Sequence, residues 1–294
     1  MTLPNFLIIG AQKSGTTALY YYLKQHPQIY MSPEKEPHFF TYEGGEPLFD
    51  GPGRGWVTPV TSMEEYRRLF QEVSDETAVG EASPSYIYFE KAAKRIKHYI
   101  PETRLIAILR NPADRAYSNF LHAVRSGREP RGEFDQALRE EDARIQNNWG
   151  PVWHYRRKGF YYEQLKRYFD TFHRDQIKVC RYEDLEHDPT GFSQEIFDFL
   201  GVDDMFTPEY MERQNVSGVP RNRALRTAFT KMSTVTPVIK DYVPRGLRRY
   251  IGNKMLANPP QFSPETRQQL IEVYRDDILK VQELVRQDLS HWLE

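Results

Sequence analysis

The sequence predicts an α/β fold, a doubly wound parallel sheet flanked by helices. Short apolar runs of strand length recur at Phe6–Ile9, Ala78–Glu81, Leu105–Leu109 and Ile177–Cys180. Helical stretches separate them, the alternation expected when helices carry the crossovers of a parallel sheet. Gly10, Glu81 and Arg110 stand at or just past the ends of three of these runs, where open α/β sheets bind ligands.

The first run leads into Gly10-Ala-Gln-Lys13-Ser14-Gly15-Thr16-Thr17, and a helix over Thr16–Gln25 follows. Gly10 and Gly15 let the backbone curl so that successive N–H groups can face an anion. The helix N-terminus adds partial positive charge. Lys13 adds a full charge, and Ser14, Thr16 and Thr17 add hydroxyl donors. An ATPase loop needs lysine directly after the second glycine, then Ser/Thr for magnesium. Here Thr16 and Thr17 follow Gly15 and the lysine precedes it. The segment therefore reads as a phosphate-type anion cradle without the β/γ-phosphate and magnesium machinery.

Past that helix comes Lys35-Glu36-Pro37-His38-Phe39-Phe40, and helices are expected over Met63–Gln71 and Lys91–Tyr99. The second strand opens into Glu81-Ala82-Ser83-Pro84-Ser85-Tyr86. The third ends in Arg110-Asn-Pro112, with Pro112 at the first turn of a helix over Ala113–Val124. Ser118 lies two turns into that helix, so Arg110 and Ser118 can clamp one phosphate. Arg115 pairs either with Asp114 or with a neighbouring helix. Further helices are expected over Phe134–Asp142, Phe160–Phe172 and Ser193–Leu200. Tyr182-Glu183-Asp184-Leu185 reads as structural, holding the turn after the fourth strand. Ser263 as N-cap and Pro264 at the first position start a long amphipathic helix. Its inward face is Leu270, Ile271, Tyr274, Ile278, Val281 and Leu284.

Gln12-Lys13-Ser14-Gly15-Thr16-Thr17, with Leu19 and Tyr20, resembles the 5′-phosphosulfate loop of sulfotransferases. More narrowly it is similar to the heparan sulfate N- and 3-O-sulfotransferase group. The resemblance implies a sheet of the P-loop-containing nucleotide-hydrolase type. It implies 3′-phosphoadenosine 5′-phosphosulfate (PAPS) as sulfuryl donor, adenosine 3′,5′-bisphosphate as product, and no metal. It makes Glu36 the general base on the acceptor, with Lys13 in the catalytic machinery. His38 either orients the acceptor or fills a polar gap. Arg110 and Ser118 take the 3′-phosphate of the donor.

In Asn215-Val-Ser217-Gly218-Val-Pro-Arg221 the resemblance makes Gly218 and Arg221 donor contacts, with Ser217 in place of a family lysine. Asn215-Val-Ser217 also reads as a glycosylation sequon, discounted because nothing marks the chain as secreted. Ala82 replaces a lysine that lies near the acceptor in relatives. Leu289-Ser-His-Trp292-Leu looks like the family's closing Trp segment. The implied acceptor is a hydroxyl or amine of a glycan, glycolipid or small natural product.

The 294 residues read as a single domain without a linker, repeat or low-complexity run. The one cysteine, Cys180, excludes an internal disulfide and a cysteine-rich metal site and reads as core filler. The first strand starts by Phe6, leaving no room for a signal segment, and no apolar run approaches the ~20 residues of a membrane helix. The expectation is a cytoplasmic protein. Net charge is -1, yet residues 221–262 carry nine Lys/Arg against Asp241, so +8 there leaves -9 elsewhere. That segment is either a basic cap for an anionic or membrane-borne acceptor or a solvated face. No nucleic-acid-binding module is present. Two rivals to sulfuryl transfer are a P-loop small-molecule kinase and a non-catalytic nucleotide-binding protein. The first needs lysine after the second glycine and acidic magnesium ligands. The second has no use for a base near the donor.

Overall fold

A computed structural model describes residues 2–45, 48–210, 219–220, 256–257 and 262–294. Within them, five parallel strands form one sheet: β1 (Phe6–Gly10), β2 (Ile29–Met31), β3 (Ala78–Ala82), β4 (Arg104–Leu109) and β5 (Ile177–Arg181), in the order β2-β3-β1-β4-β5. The doubly wound parallel sheet expected from the sequence is therefore present. β1 is central, and the chain passes from β3 on one side of it to β4 on the other. The strand-end crevice where open α/β sheets bind ligands thus opens beside β1.

Alternation along the strands explains why both faces need cover. Leu7 and Ile9 of β1 and Leu105, Ala107 and Leu109 of β4 belong to one buried cluster; Phe6, Ile8, Ile106 and Ile108 belong to the other. The first cluster is closed by α4 (Glu90–Tyr99), α5 (Pro112–Arg125), α7 (Tyr161–Phe169) and α10 (Pro264–Val285). The second is closed by α1 (Thr16–Leu23) and α9 (Pro189–Leu200). Burying each of the Leu, Ile and Phe side chains contributes about 1.5–3 kcal/mol, so truncation at Ile8 or Ile106 removes support from the strands that aim the site.

Elements that escaped the sequence reading include β2 and α2 (Phe39–Tyr42). β2 is a three-residue edge strand, too short for a periodic signal. α2 buries Phe39 and Phe40 beside Tyr66. Further helices are α3 (Met63–Arg68), α6 (Phe134–Gln146) and α8 (Tyr182–His187).

The caps set the boundaries. Asn111 accepts from the N–H groups of Ala113 and Asp114, so α5 starts at Pro112. Asp188 caps α9, which starts at Pro189 rather than Ser193. Ser263 accepts from Thr266 N–H at 3.2 Å, the expected cap of α10. Leu270, Ile271, Tyr274, Ile278 and Val281 are buried as expected, but Leu284 is only partly so and Val285 takes the last inward place. Cys180 is buried in β5, where burial pushes its thiol up to about 12 and leaves it unreactive.

β6 (Val219–Pro220) pairs antiparallel with β7 (Leu256–Ala257). Gly218 and Arg221 lie outside the described residues, as do Asn215, Ser217 and all of the basic 221–262 segment except Leu256, Ala257 and Phe262. Among the described residues no helix is long and apolar enough to cross a membrane.

Candidate active site

β1 and β4 shift register between Ile8 and Gly10, immediately before the glycine loop. The loop then turns through two left-handed residues, Lys13 (φ 73°) and Gly15 (φ 86°). Gly15 is needed for space as well as for φ, because a Cβ there would lie 2.6 Å from Leu185 Cδ2 and 3.0 Å from Tyr182 Cδ2. Gly15 is also the N-cap of α1 and brings no capping side chain. The first N–H groups of α1, which no helix satisfies internally, are thus left for an external acceptor.

A cavity of about 940 Å³ opens over this loop, within the size range of small-molecule sites. Lys13, Gly15, Thr16, Thr17, Glu36, His38, Arg110 and Ser118 all line it, although they come from four separate stretches of chain. Ser14 does not. It is fully buried between the two left-handed residues, its N–H donates to Ala11 O at 3.3 Å, and its Oγ meets no hydrogen-bond partner among the described residues. The sequence expectation of a Ser14 hydroxyl donor is corrected: the turn that presents Lys13 directs Ser14 beneath the loop.

The cavity is cationic. Lys13, Arg110, Arg125, Arg128 and Lys158 line it against Glu36, Asp114 and Glu186. Asp114 pairs with Arg267 at 3.3 Å. Burial, then Arg125 and Arg110, lowers the Lys13 ammonium to about 8, with Glu36 opposing. Arg110 projects from the end of β4. Its guanidinium lies 4.6 Å over the Tyr182 ring, its Nη1 donates to Lys13 O at 3.4 Å, and its own carbonyl accepts from Tyr161 OH at 3.0 Å. The Tyr182–Leu185 segment, read from sequence as purely structural, therefore forms part of the cavity wall and the floor under Gly15.

Glu36 and His38 both have positive φ, 62° and 57°. With Lys13 they are three of the five such non-glycine residues described, the others being Asn148 and Arg286. Each costs roughly 1–3 kcal/mol and persists only where the surroundings over-determine it. Here Glu36 N–H donates to Ala82 O at 3.0 Å, and His38 N–H donates to Ser83 Oγ at 3.1 Å. Ser83 Oγ in turn donates to the buried Glu81 carboxyl at 2.9 Å. Burial pushes Glu81 up to about 7. The end of β3 thus fixes the segment that presents Glu36.

The Glu36 carboxylate is half-buried. One oxygen pairs with Lys35 Nζ and the other lies 3.6 Å from His38 Nε2. His38 Nδ1 lies 2.9 Å from Ser85 Oγ, and burial lowers the imidazole below its usual range, keeping it neutral near pH 7. Ala82 is fully buried at the end of β3 and brings no charge to the cavity.

Residues the sequence reading missed include His122, Arg125, Arg128 and Lys158. His122 and Arg125 follow Ser118 at four and seven residues along α5, the spacing of one helix face. That signal was available. Arg128, stacked 4.9 Å over Trp56, and Lys158 reach the cavity through tertiary structure alone. The rest of the wall is largely apolar or aromatic, with Phe49, Trp56 and Val57 from one loop and Pro151 and Val152 from another.

A family model described as the sulfotransferase family matches residues 4–208. A crystal structure of a sulfotransferase from Alicyclobacillus acidocaldarius is 32% identical, with a TM-score of 0.79 and coverage of 100% of both chains. Mouse heparan sulfate glucosamine 3-O-sulfotransferase 6 is 30% identical over 74% of this chain and 58% of its own length. Mouse bifunctional heparan sulfate N-deacetylase/N-sulfotransferase 4 is 28% identical over 99% of this chain but only 31% of its own. The chain thus spans 31% and 58% of the length of these two curated relatives.

Proposed function

The chain belongs to the sulfotransferase family, and from that premise we propose that it transfers a sulfuryl group from PAPS to an acceptor hydroxyl or amine. The observation that carries this reading is the single cationic cavity shared by the anion loop, Arg110, Ser118 and Glu36. Its residues fit an anionic nucleotide: a helix start without a capping side chain, Lys13 and Arg110 beside each other, and a hydroxyl at Ser118.

In this reading Lys13 and the loop N–H groups balance the negative charge that builds on the leaving phosphate. Arg110 and Ser118 hold the 3′-phosphate. Glu36 takes the proton of the acceptor as sulfur is attacked in line. Neutral His38 orients Glu36 or the acceptor. The acceptor is a glycan, glycolipid or small molecule that fits the aromatic wall, and the site works without a metal. Gly218 and Arg221 retain their proposed donor contacts.

Calorimetry in EDTA tests the reading. Adenosine 3′,5′-bisphosphate should bind more tightly than ATP, and the reaction should survive the chelator. Preference for ATP with a strict magnesium requirement would support the kinase rival instead.

Arg110→Ala gives a second test. It should cost about 10- to 100-fold in the preference for adenosine 3′,5′-bisphosphate over adenosine 5′-phosphate, the ~1.5–3 kcal/mol of a charge-assisted hydrogen bond. A variant that discriminates the two nucleotides as well as wild type removes Arg110 from the clamp.

A further inference from the structure

Lys158 is a buried lysine, 7% exposed, that lines the cavity. Among the described residues its ammonium makes no ion pair. Its hydrogen bond runs to a neutral group, Gln12 Oε1 of the anion loop, at 2.5 Å, and it lies 5.8 Å over the Tyr88 ring. An ammonium has three donors, so this one retains capacity for an acceptor. Buried charges are ordinarily paired. A buried cation that meets only an amide and a ring face is suited to an anion that arrives with a ligand.

Its placement is enforced. A Cβ on Gly159 would lie 2.6 Å from Tyr274 Oη, and that same hydroxyl donates to Arg156 O at 2.8 Å. Lys158 O accepts from Gln164 Nε2 at 3.1 Å. The backbone beneath the side chain is thus held by α7 and α10.

The charged and titratable groups around it give its position within the cavity. Arg115 on α5 and Glu141 on α6 flank it from the protein interior, Glu36 acts on it from the cavity, and it acts on His38 and His154. Tyr88 lies beneath it. Lys13 instead feels Arg125 and Arg110 most strongly after burial. Lys158 therefore shares the cavity with Gln12 and Glu36, bonded to Gln12 of the loop and within electrostatic reach of Glu36.

We propose that Lys158 is a further catalytic residue, its ammonium contacting the non-bridging oxygens of the sulfuryl group in transit. This rests on the sulfotransferase reading. The bond from sulfur to the bridging oxygen of the leaving phosphate breaks and its electron pair stays on that phosphate. The bond from sulfur to the acceptor oxygen or nitrogen forms, and the acceptor proton goes to Glu36. In the transfer step itself Lys158 gives and takes no proton; it balances charge on the three oxygens that move with sulfur. Burial and Arg115 lower the free ammonium to about 7, so the arriving anion also restores its proton.

The test uses Lys158→Met and Lys158→Arg in the full chain. Lys158→Met should lower turnover by about 10²-fold, as removal of one preorganised donor does. Affinity for adenosine 3′,5′-bisphosphate, which has no sulfuryl oxygens, should stay unchanged. Wild-type kcat/KM should fall as pH rises through about 7. Lys158→Arg, which stays charged, should retain part of the turnover and move that fall to higher pH. Because the folded lysine is depressed, the stability cost of its charge grows as pH drops from the ordinary lysine range toward 7. Lys158→Met should therefore melt at or above the wild-type temperature at neutral pH.

Wild-type turnover in Lys158→Met overturns the proposal, as does a parallel loss of bisphosphate affinity in both variants, which marks a donor-holding or structural lysine. Failure of the wild-type chain itself to bind adenosine 3′,5′-bisphosphate overturns the sulfotransferase reading, and this proposal with it.

Discussion

Glu36→Gln should lower turnover by about 10²–10⁴-fold, the usual contribution of a positioned base, while adenosine 3′,5′-bisphosphate binds as it does to wild type. The substitution keeps the size of the side chain and its capacity to accept hydrogen bonds. It removes only the ability to take a proton. Three features argue for the base role over that of a surface carboxylate. Glu36 lines the same cavity as Lys13. It holds an unfavourable φ of 62°, maintained by its hydrogen bond to Ala82. One of its oxygens pairs with Lys35, and the other faces His38 Nε2 at 3.6 Å. Steady-state turnover with saturating donor, under conditions where chemistry limits the rate, is the measurement. Near wild-type turnover would remove Glu36 from the mechanism and make His38 the next residue to change.

The positions of Glu36 and Lys13 also explain what the sequence could disclose. Strands β1 and β4 were legible because each is covered on both faces, so Phe6–Ile9 and Leu105–Leu109 are continuous apolar runs. The loop was legible because a strand, two glycines, a lysine and a helix start follow one another in few residues. Ser14 was misread because a hydroxyl in such a loop looks like a donor. Its direction depends on the left-handed residues at 13 and 15, and only the fold shows that both turn the same way. Lys158 was silent because Arg156-Arg157-Lys158 looks like any solvated basic run. Its ammonium meets Gln12 and the Tyr88 ring, both far away in sequence, contacts that no local pattern encodes. The cavity wall from Tyr182 was silent for the same reason: an aromatic after a strand reads as packing until an arginine 72 residues earlier stacks on it.

Lys13→Ala should lower turnover by about 10²–10³-fold, the range for losing one preorganised charge-stabilising group, and should also weaken adenosine 3′,5′-bisphosphate. The double effect follows from placement. Lys13 sits at the turn of the loop, its carbonyl accepts from Arg110, and its ammonium faces the charge of Arg110 and Arg125 in a partly desolvated cavity. That crowding of like charge is unfavourable in the free protein and is relieved by a phosphate. The sign with pH follows. Burial and the two arginines lower Lys13 to about 8, and a bound phosphate raises it again. Above pH 8 the free protein must take up a proton to bind, so wild-type affinity for the bisphosphate should fall as pH rises through about 8. Lys13→Ala has no such group, so its weaker affinity should be flat across the same window. This also separates Lys13 from Lys158, whose removal should leave bisphosphate affinity intact. A Lys13→Ala protein that keeps the wild-type dependence on pH near 8 would assign that titration to another group and take Lys13 out of the phosphate contact.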